Sequence, residues 1–124
     1  MVKAPTPELE FPRDVRVLVG NRTGVDFEIY WDSEPYNFAN GSAETIEPEI
    51  AWAILAFETR GDSPPHRNYD TGNDERNQPS YYKARLISMG IANDPIRARA
   101  FHDLQFKVIK SKRKYSVEEF DKVK

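Results

Sequence analysis

The stretch Val25-Asp26-Phe27-Glu28-Ile29-Tyr30-Trp31 decides the fold, because its apolar side chains recur at every second position. Successive side chains of a β-strand point to opposite faces, so this spacing predicts a strand with one buried and one wet face. A strand of this kind is typical of an antiparallel sheet that packs another element on one side only. We therefore expect a β-rich core built around residues 25–31.

A second alternating run lies just upstream, at Val15–Val19, and the turn residues of Gly20–Gly24 separate it from the first. Glycine and asparagine accept the positive φ that tight turns require, so we predict that the two runs pair as a hairpin. Further short elements are predicted downstream: a turn at 32–35, a strand at 36–38, a turn at Asn40-Gly41 and a returning strand at 43–46.

The period changes after residue 46, where Pro48 begins a helix predicted to span 48–58. Proline suits the first helical position, and Glu47 and Glu49 place negative charge at the positive end of the helix dipole. Apolar residues at helical spacing give this helix a face that packs on the sheet. The predicted core is Val25, Phe27, Ile29, Trp31, Ile50, Ile54 and Phe57.

The second half of the chain holds shorter elements around a polar stretch. Residues 60–78 contain almost no apolar side chains, and a loop of that length is usually functional or disordered. Caps and spacing then predict helices at Tyr81–Met89 and Pro95–Phe101, a strand at Leu104–Val108 and, from the capping box at 116–119, a short final helix.

These elements amount to a single α+β domain. At 124 residues, without an internal repeat, the chain has room for one hydrophobic core. We predict a small antiparallel β-rich domain, a sandwich or partial barrel, with one main packed helix and extended arms. Its divisions are an extended N-terminal arm at 1–13, a globular domain at 14–109 with a long loop at 60–78, and a basic C-terminal tail at 110–124.

Composition excludes several classes of protein. The sequence has no cysteine, so it has no disulfide, thiolate metal site or cysteine nucleophile. No stretch approaches the roughly 18 apolar residues that span a membrane, so we expect no membrane partner. Prolines and acidic residues interrupt Met1–Phe11, so we expect no secretory signal there.

Charge is unevenly distributed along the chain. Residues 1–50 carry a net charge of −6, from ten acidic and four basic side chains, whereas residues 101–124 carry +3, from seven basic and four acidic ones. We expect these regions to meet, either within one molecule or between copies. The overall charge of −2 argues against nucleic acid as a partner.

The sequence offers little catalytic chemistry. Its two histidines are His66, in the polar loop near Asp62, Asp70 and Asp74, and His102, beside Asp103. The loop spacing matches neither a zinc pattern nor a calcium loop, and adjacent residues of a helix or strand do not face each other. We therefore predict no enzyme activity, no metal site and no cofactor.

Binding to other proteins is the function that remains. The N-terminal arm offers apolar anchors, the long loop offers polar and aromatic side chains, and the tail offers a basic run. The predicted partner-binding residues are Leu9 and Phe11 in the arm, Arg60, His66, Arg67 and Tyr69 in the loop, and Lys110, Lys112, Arg113 and Lys114 in the run.

The segment from Val15 to Phe57 resembles small structural proteins of tailed bacteriophages. The resemblance rests on a strand, the Asn21-Arg22-Thr23 turn, the alternating strand, Pro35-Tyr36-Asn37-Phe38, Gly41 and a helix that begins Glu47-Pro48-Glu49-Ile50-Ala51. It implies a virion component, such as a head decoration or head-to-tail accessory protein, made in the host cytoplasm. Its partners would be capsid or connector subunits, and it would act in several copies or as a homo-oligomer.

Two other functions stay open at this point. A nucleic-acid-binding accessory protein would use the basic run at 110–114 for phosphates and Tyr81 and Tyr82 for base stacking. A small host-directed interaction protein would use the loop at 60–78.

Overall fold

A four-stranded antiparallel sheet forms the centre of the structure, a computed structural model that describes residues 10–61, 64–67, 80–110 and 115–123. Within these segments, two smaller two-stranded sheets and four helices pack around it. In chain order the elements are β1 (Arg16–Gly20), β2 (Phe27–Trp31), β3 (Glu34–Phe38), β4 (Ser42–Ile46), α1 (Pro48–Leu55), β5 (Phe57–Glu58), β6 (His66–Arg67), α2 (Tyr81–Ser88), α3 (Pro95–His102), β7 (Gln105–Ile109), β8 (Tyr115–Ser116) and α4 (Val117–Phe120).

The strand order of the large sheet is β7-β1-β4-β8, and the small sheets are β2-β3 and β5-β6. Every pairing is antiparallel. This arrangement confirms the prediction of a small α+β domain rich in antiparallel strands. The strands of the described segments do not close into a barrel.

The predicted hairpin between the first two strands is wrong. β1 pairs with β4 on one side and β7 on the other, with Val17 opposite both Ile46 and Val108. The reason is burial: Val17, Leu18 and Val19 are all at most 1 % exposed, so β1 is covered on both faces. A strand buried on both faces belongs in the middle of a sheet, with a partner on each edge.

Asn21 makes the turn after β1 and is itself completely buried. Its amide Nδ2 donates to the carbonyls of Val25, at 2.9 Å, and Phe38, at 2.7 Å. Its Oδ1 accepts from the backbone N–H and the hydroxyl of Thr23, at 3.0 and 2.7 Å. The side chain thereby ties the large sheet to the β2–β3 hairpin, and the Asn21-Arg22-Thr23 turn has a structural role.

A hairpin was predicted between the first two strands, but the structure forms it between β2 and β3. Asp32 and Ser33 make the two-residue turn, with φ of 52° and 66°. Two successive positive φ values are typical of a type I′ turn, whose twist matches that of the strands it joins. The predicted turn at Asn40-Gly41 also forms, but it carries the chain into the large sheet, where β4 pairs with β1 and not with β3.

Helix α1 ends three residues earlier than predicted. Ala56 adopts the left-handed conformation, with φ of 57°, and its N–H donates to the carbonyls of Ala51 and Trp52. The reversal sends Phe57 into β5, where it pairs with Arg67. Phe57 is buried as expected, but on a strand.

The main core lies between one face of the large sheet, the β2–β3 hairpin and the three longer helices. Phe27, Ile29, Ile54 and Phe57 are buried in it, which confirms most of the predicted core, and Val25 and Ile50 pack at its margin. Trp31 is the exception, at 41 % exposed. It is the last residue of β2, next to the turn of the hairpin, where the core offers less cover.

The later helices agree with their predicted caps. The hydroxyl of Ser80 accepts from the N–H of Lys83 at the start of α2, and Asp94 accepts from Ile96 and Arg97 at the start of α3. The capping box of α4 is also present, with Ser116 and Glu119 each bonding the other's backbone N–H. Short-range capping signals were therefore reliable along this chain.

Residues 115–123 belong to the fold, which corrects the prediction of a tail that starts at 110. β8 pairs with β4, and α4 covers the second face of the large sheet. Phe120 forms a small second core there with Leu18, Ala43 and Ile109. The short helix predicted from the capping box is present, but nothing near it in sequence indicates that it packs on the large sheet.

Candidate interaction surface

A stack of aromatic rings and one guanidinium lies on the surface beside α1. The Arg60 guanidinium is 4.3 Å from the centre of the Phe11 ring and 5.2 Å from that of Trp52. Its Nε donates to both carboxylate oxygens of Glu58, at 3.0 and 3.1 Å. A guanidinium at this distance is attracted by the electron-rich faces of the rings. The fold therefore brings together two predicted partner-binding residues, Phe11 and Arg60, that are far apart in sequence.

Trp52 extends the stack towards α2. Its ring lies against that of Tyr81, with centres 4.3 Å apart and planes inclined by 19°. The Tyr81 hydroxyl donates to the carbonyl of Ala53 at 2.8 Å, which fixes the ring. We call Phe11, Arg60, Trp52 and Tyr81 the aromatic ladder.

Two of the ladder's four members escaped prediction as binding residues. Trp52 lies in the predicted helix 48–58 but is not one of the predicted core or binding residues, and Tyr81 is predicted to stack on bases only in the nucleic-acid alternative. Trp52 is half-buried and Tyr81 is 38 % exposed. A tryptophan at the margin of an apolar helix face was the available signal.

A charged groove adjoins the ladder and meets a second groove at Arg16 and Glu47, which line both. Their volumes are about 700 and 720 Å³. The first contains Phe11 and Arg60, and the second runs along β3 and β4. Acidic side chains outnumber basic ones in them: the glutamates are Glu10, Glu44, Glu47, Glu49 and Glu58, and the arginines are Arg13, Arg16 and Arg60.

A third groove, of about 240 Å³, lies between β2 and the end of α2. Tyr30 lines it and is 63 % exposed. A hydrogen bond with the carboxylate of Glu28 raises the pKa of the Tyr30 phenol above its ordinary value, because the carboxylate stabilises the protonated form. Tyr30 therefore presents a neutral hydroxyl at the surface.

Arg67 is a predicted partner-binding residue that the structure places inside the fold. It is 6 % exposed, and its guanidinium donates to the carbonyls of Leu55, at 2.8 Å, and Phe101. Leu55 ends α1 and Phe101 lies in the last turn of α3, where helix carbonyls carry partial negative charge. Arg67 therefore joins two helix ends and is not part of the interaction surface.

The other predicted residues are scattered. His66 is exposed on β6, with its Nδ1 3.0 Å from the carbonyl oxygen of Pro64, and Lys110 is exposed after β7. Neither lines the ladder or its grooves. The remaining five, Leu9, Tyr69, Lys112, Arg113 and Lys114, lie outside the described residues.

The two histidines contact different parts of the fold. Nδ1 of His102 lies 3.4 Å from the hydroxyl of Tyr82, whereas His66 pairs with Glu58 across the β5–β6 sheet. Across the described segments, no three His, Asp or Glu side chains come together as metal ligands. Of the acidic residues considered with His66, those at 62, 70 and 74 lie outside these segments.

Comparisons of the chain with protein families, with curated proteins and with solved structures find no match. No helix in the part of the chain that the structure describes is long and apolar enough to cross a membrane.

Proposed function

We propose that the chain is a non-enzymatic structural protein of a tailed-phage virion, and that it binds capsid or connector subunits through the aromatic ladder. The phage assignment is supported by the sequence resemblance over Val15–Phe57. The binding role is supported by the ladder itself. The acidic groove on its flank would select partners with basic side chains by charge complementarity.

The single observation that carries the binding role is the partly exposed Arg60 guanidinium, which lies 4.3 Å from the centre of the Phe11 ring and 5.2 Å from that of the Trp52 ring. Tryptophan, tyrosine and arginine are enriched among the residues that dominate binding energy at protein interfaces. Stacking and the Glu58 contact already restrict these side chains in the free chain. A partner therefore meets a pre-organised surface and loses less conformational entropy on binding.

Co-sedimentation tests this function. The chain would be co-expressed with the capsid and connector subunits encoded beside it, and the particles would be separated by ultracentrifugation. We expect the wild-type chain to sediment with particles at a fixed copy number. An isolated chain that stays in the supernatant while complete particles form would contradict the virion role.

Arg60→Ala tests whether the ladder is the contact. We expect it to lower the number of bound copies, because it removes the central member of the stack. Arg99→Ala is the matched control, since Arg99 lies on α3 with its side chain 74 % exposed and outside the ladder. Equal binding by both variants would exclude the ladder as the contact surface.

A gel-shift assay separates the nucleic-acid alternative. At about 0.15 M salt, where exposed charges are screened beyond about 8 Å, we expect no retention of duplex DNA. Binding by the wild type that is lost when Lys110, Lys112, Arg113 and Lys114 are replaced by glutamine would favour that alternative.

A further inference from the structure

Residues 115–123, the C-terminal segment, are held by side chains from distant parts of the chain. Arg22 donates to both carboxylate oxygens of Asp121, each at 2.6 Å, and to the carbonyl of Val117 at 2.8 Å. The ammonium of Lys107 donates to the carbonyls of Phe120 and Val123. These contacts place two cations around the end of α4, where helix carbonyls carry partial negative charge.

The surface that receives the segment is formed by β1, β4 and β7. The Phe120 ring lies so close to Gly20 that a Cβ atom there would be 3.1 Å from it. The ring also contacts the second-core residues on the face of the sheet opposite the main core. The sheet separates the two cores, so the segment can leave its site without opening the main core.

The ends that the connection must join lie far apart on the sheet. β7 and β8 are its opposite edges, three strand spacings apart, or about 14 Å. Ile109 is level with Arg16, whereas Tyr115 is level with Ala43 and hence with Gly20. That offset of four residues adds about 13 Å along the strands, so the diagonal is about 19 Å.

The chain has six Cα–Cα steps between Ile109 and Tyr115, and six steps reach at most about 20–22 Å. The reach of six steps therefore barely exceeds the distance between the two described ends. Short connections favour exchange of the element they carry between copies, because the same contacts form in both arrangements.

We propose that two copies of this chain exchange their C-terminal segments, so that β8 and α4 of one copy occupy the site on β1, β4 and β7 of the other. The occupant is identical to the segment seen in the site, so every contact described above is kept. The exchange yields a closed dimer with a two-fold axis. This inference goes beyond the proposed function and does not depend on it, because the purified chain alone can exchange.

A pair of charge-reversed variants tests the exchange. Arg22→Asp and Asp121→Arg each put like charges at positions 22 and 121. This holds both within one molecule and in an exchanged dimer of two identical variant chains. In an exchanged dimer of one copy of each, both sites regain opposite charges. We expect the mixture to contain a several-fold larger dimer fraction than either variant alone, measured by light scattering and native mass spectrometry. A mixture with no more dimer than its separate components would overturn the proposal.

Connection length provides the second test. Deleting Lys112 and Arg113 leaves four Cα steps, which reach about 13–14 Å and cannot span the diagonal in one molecule. We expect this variant to be a dimer at concentrations where a length-matched control, K112G/R113G, contains monomer. Insertion of four Gly or Ser residues between the same positions should give more monomer than that control. A deletion variant that stays monomeric would contradict the exchange.

Discussion

The two cores of this protein are built differently. Among the described residues, the main core buries seventeen from strands and helices of both halves of the chain, and several of its large side chains are completely buried. The second core buries four residues, Leu18, Ala43, Ile109 and Phe120, and is bordered by Arg22 and Lys107. Apolar area determines the stability of the first, whereas the C-terminal segment is held on the second by the Phe120 ring, the β4–β8 pairing and a few charged contacts.

The contrast indicates how one small domain can combine a stable body with an exchangeable part. Removing one large side chain from a continuous core leaves a cavity that the whole fold must accommodate. A segment docked on the outer face of a sheet can instead open locally, at a cost below the global free energy of unfolding. The following variants test this difference, from the largest expected effect to the smallest.

Phe27→Ala should have the largest effect. Phe27 is 5 % exposed and meets the ring of Phe101 edge-on, with centres 6.0 Å apart. Its truncation should lower the free energy of unfolding by about 3–5 kcal/mol, a large share of what a small domain has. Urea denaturation measures this, with Tyr30→Ala as the control from the exposed face of the same strand. Equal losses in the two variants would mean that the facing of β2 is wrong.

Phe120→Ala should lower global stability less, by about 1–2 kcal/mol. The loss cannot exceed the free energy with which residues 115–123 dock, because the segment can detach while the main core stays folded. The same denaturation experiment gives the global value, and amide exchange of the segment reports the local one. A loss as large as that of Phe27→Ala would show that the two cores unfold together.

Acid should weaken the second core selectively, as the smallest of these effects. The hydrogen bonds from Arg22 hold the pKa of Asp121 below its ordinary value of 3.8. A carboxyl with a lowered folded pKa stabilises above its unfolded pKa, and this contribution is lost as pH falls through the folded value. Below about pH 4 the amide signals of 115–123 should therefore shift before those of β1. Arg22→Gln should remove this difference between the regions, and an unchanged profile would contradict the role of the pair.

Local features of the structure could be predicted from the sequence because they depend on neighbouring residues. The alternation at 25–31 predicts β2, Pro48 starts α1, and the N-cap residues locate the later helices. Each depends on side chains within four positions of the backbone groups they affect.

Pairing and burial across the chain could not be predicted in the same way. Nothing near β1 indicates that it pairs with β7, ninety residues away, since alternation specifies a face but not a partner. Arg67 looked like a surface residue because its neighbours in sequence are polar, yet two helix ends supply its acceptors. The ladder likewise depends on a contact between residues 11 and 60, which only the fold creates.

The separation of the two cores is tested most directly by native-state hydrogen exchange, measured at a series of low denaturant concentrations. The backbone N–H groups of residues 115–123 should exchange through a local opening of lower free energy that depends little on denaturant. Those of Val17, Leu18 and Val19 should exchange only through global unfolding, with the full denaturant dependence. If both groups exchanged with the same opening free energy and the same dependence, the C-terminal segment would be an inseparable part of one core, contrary to this account.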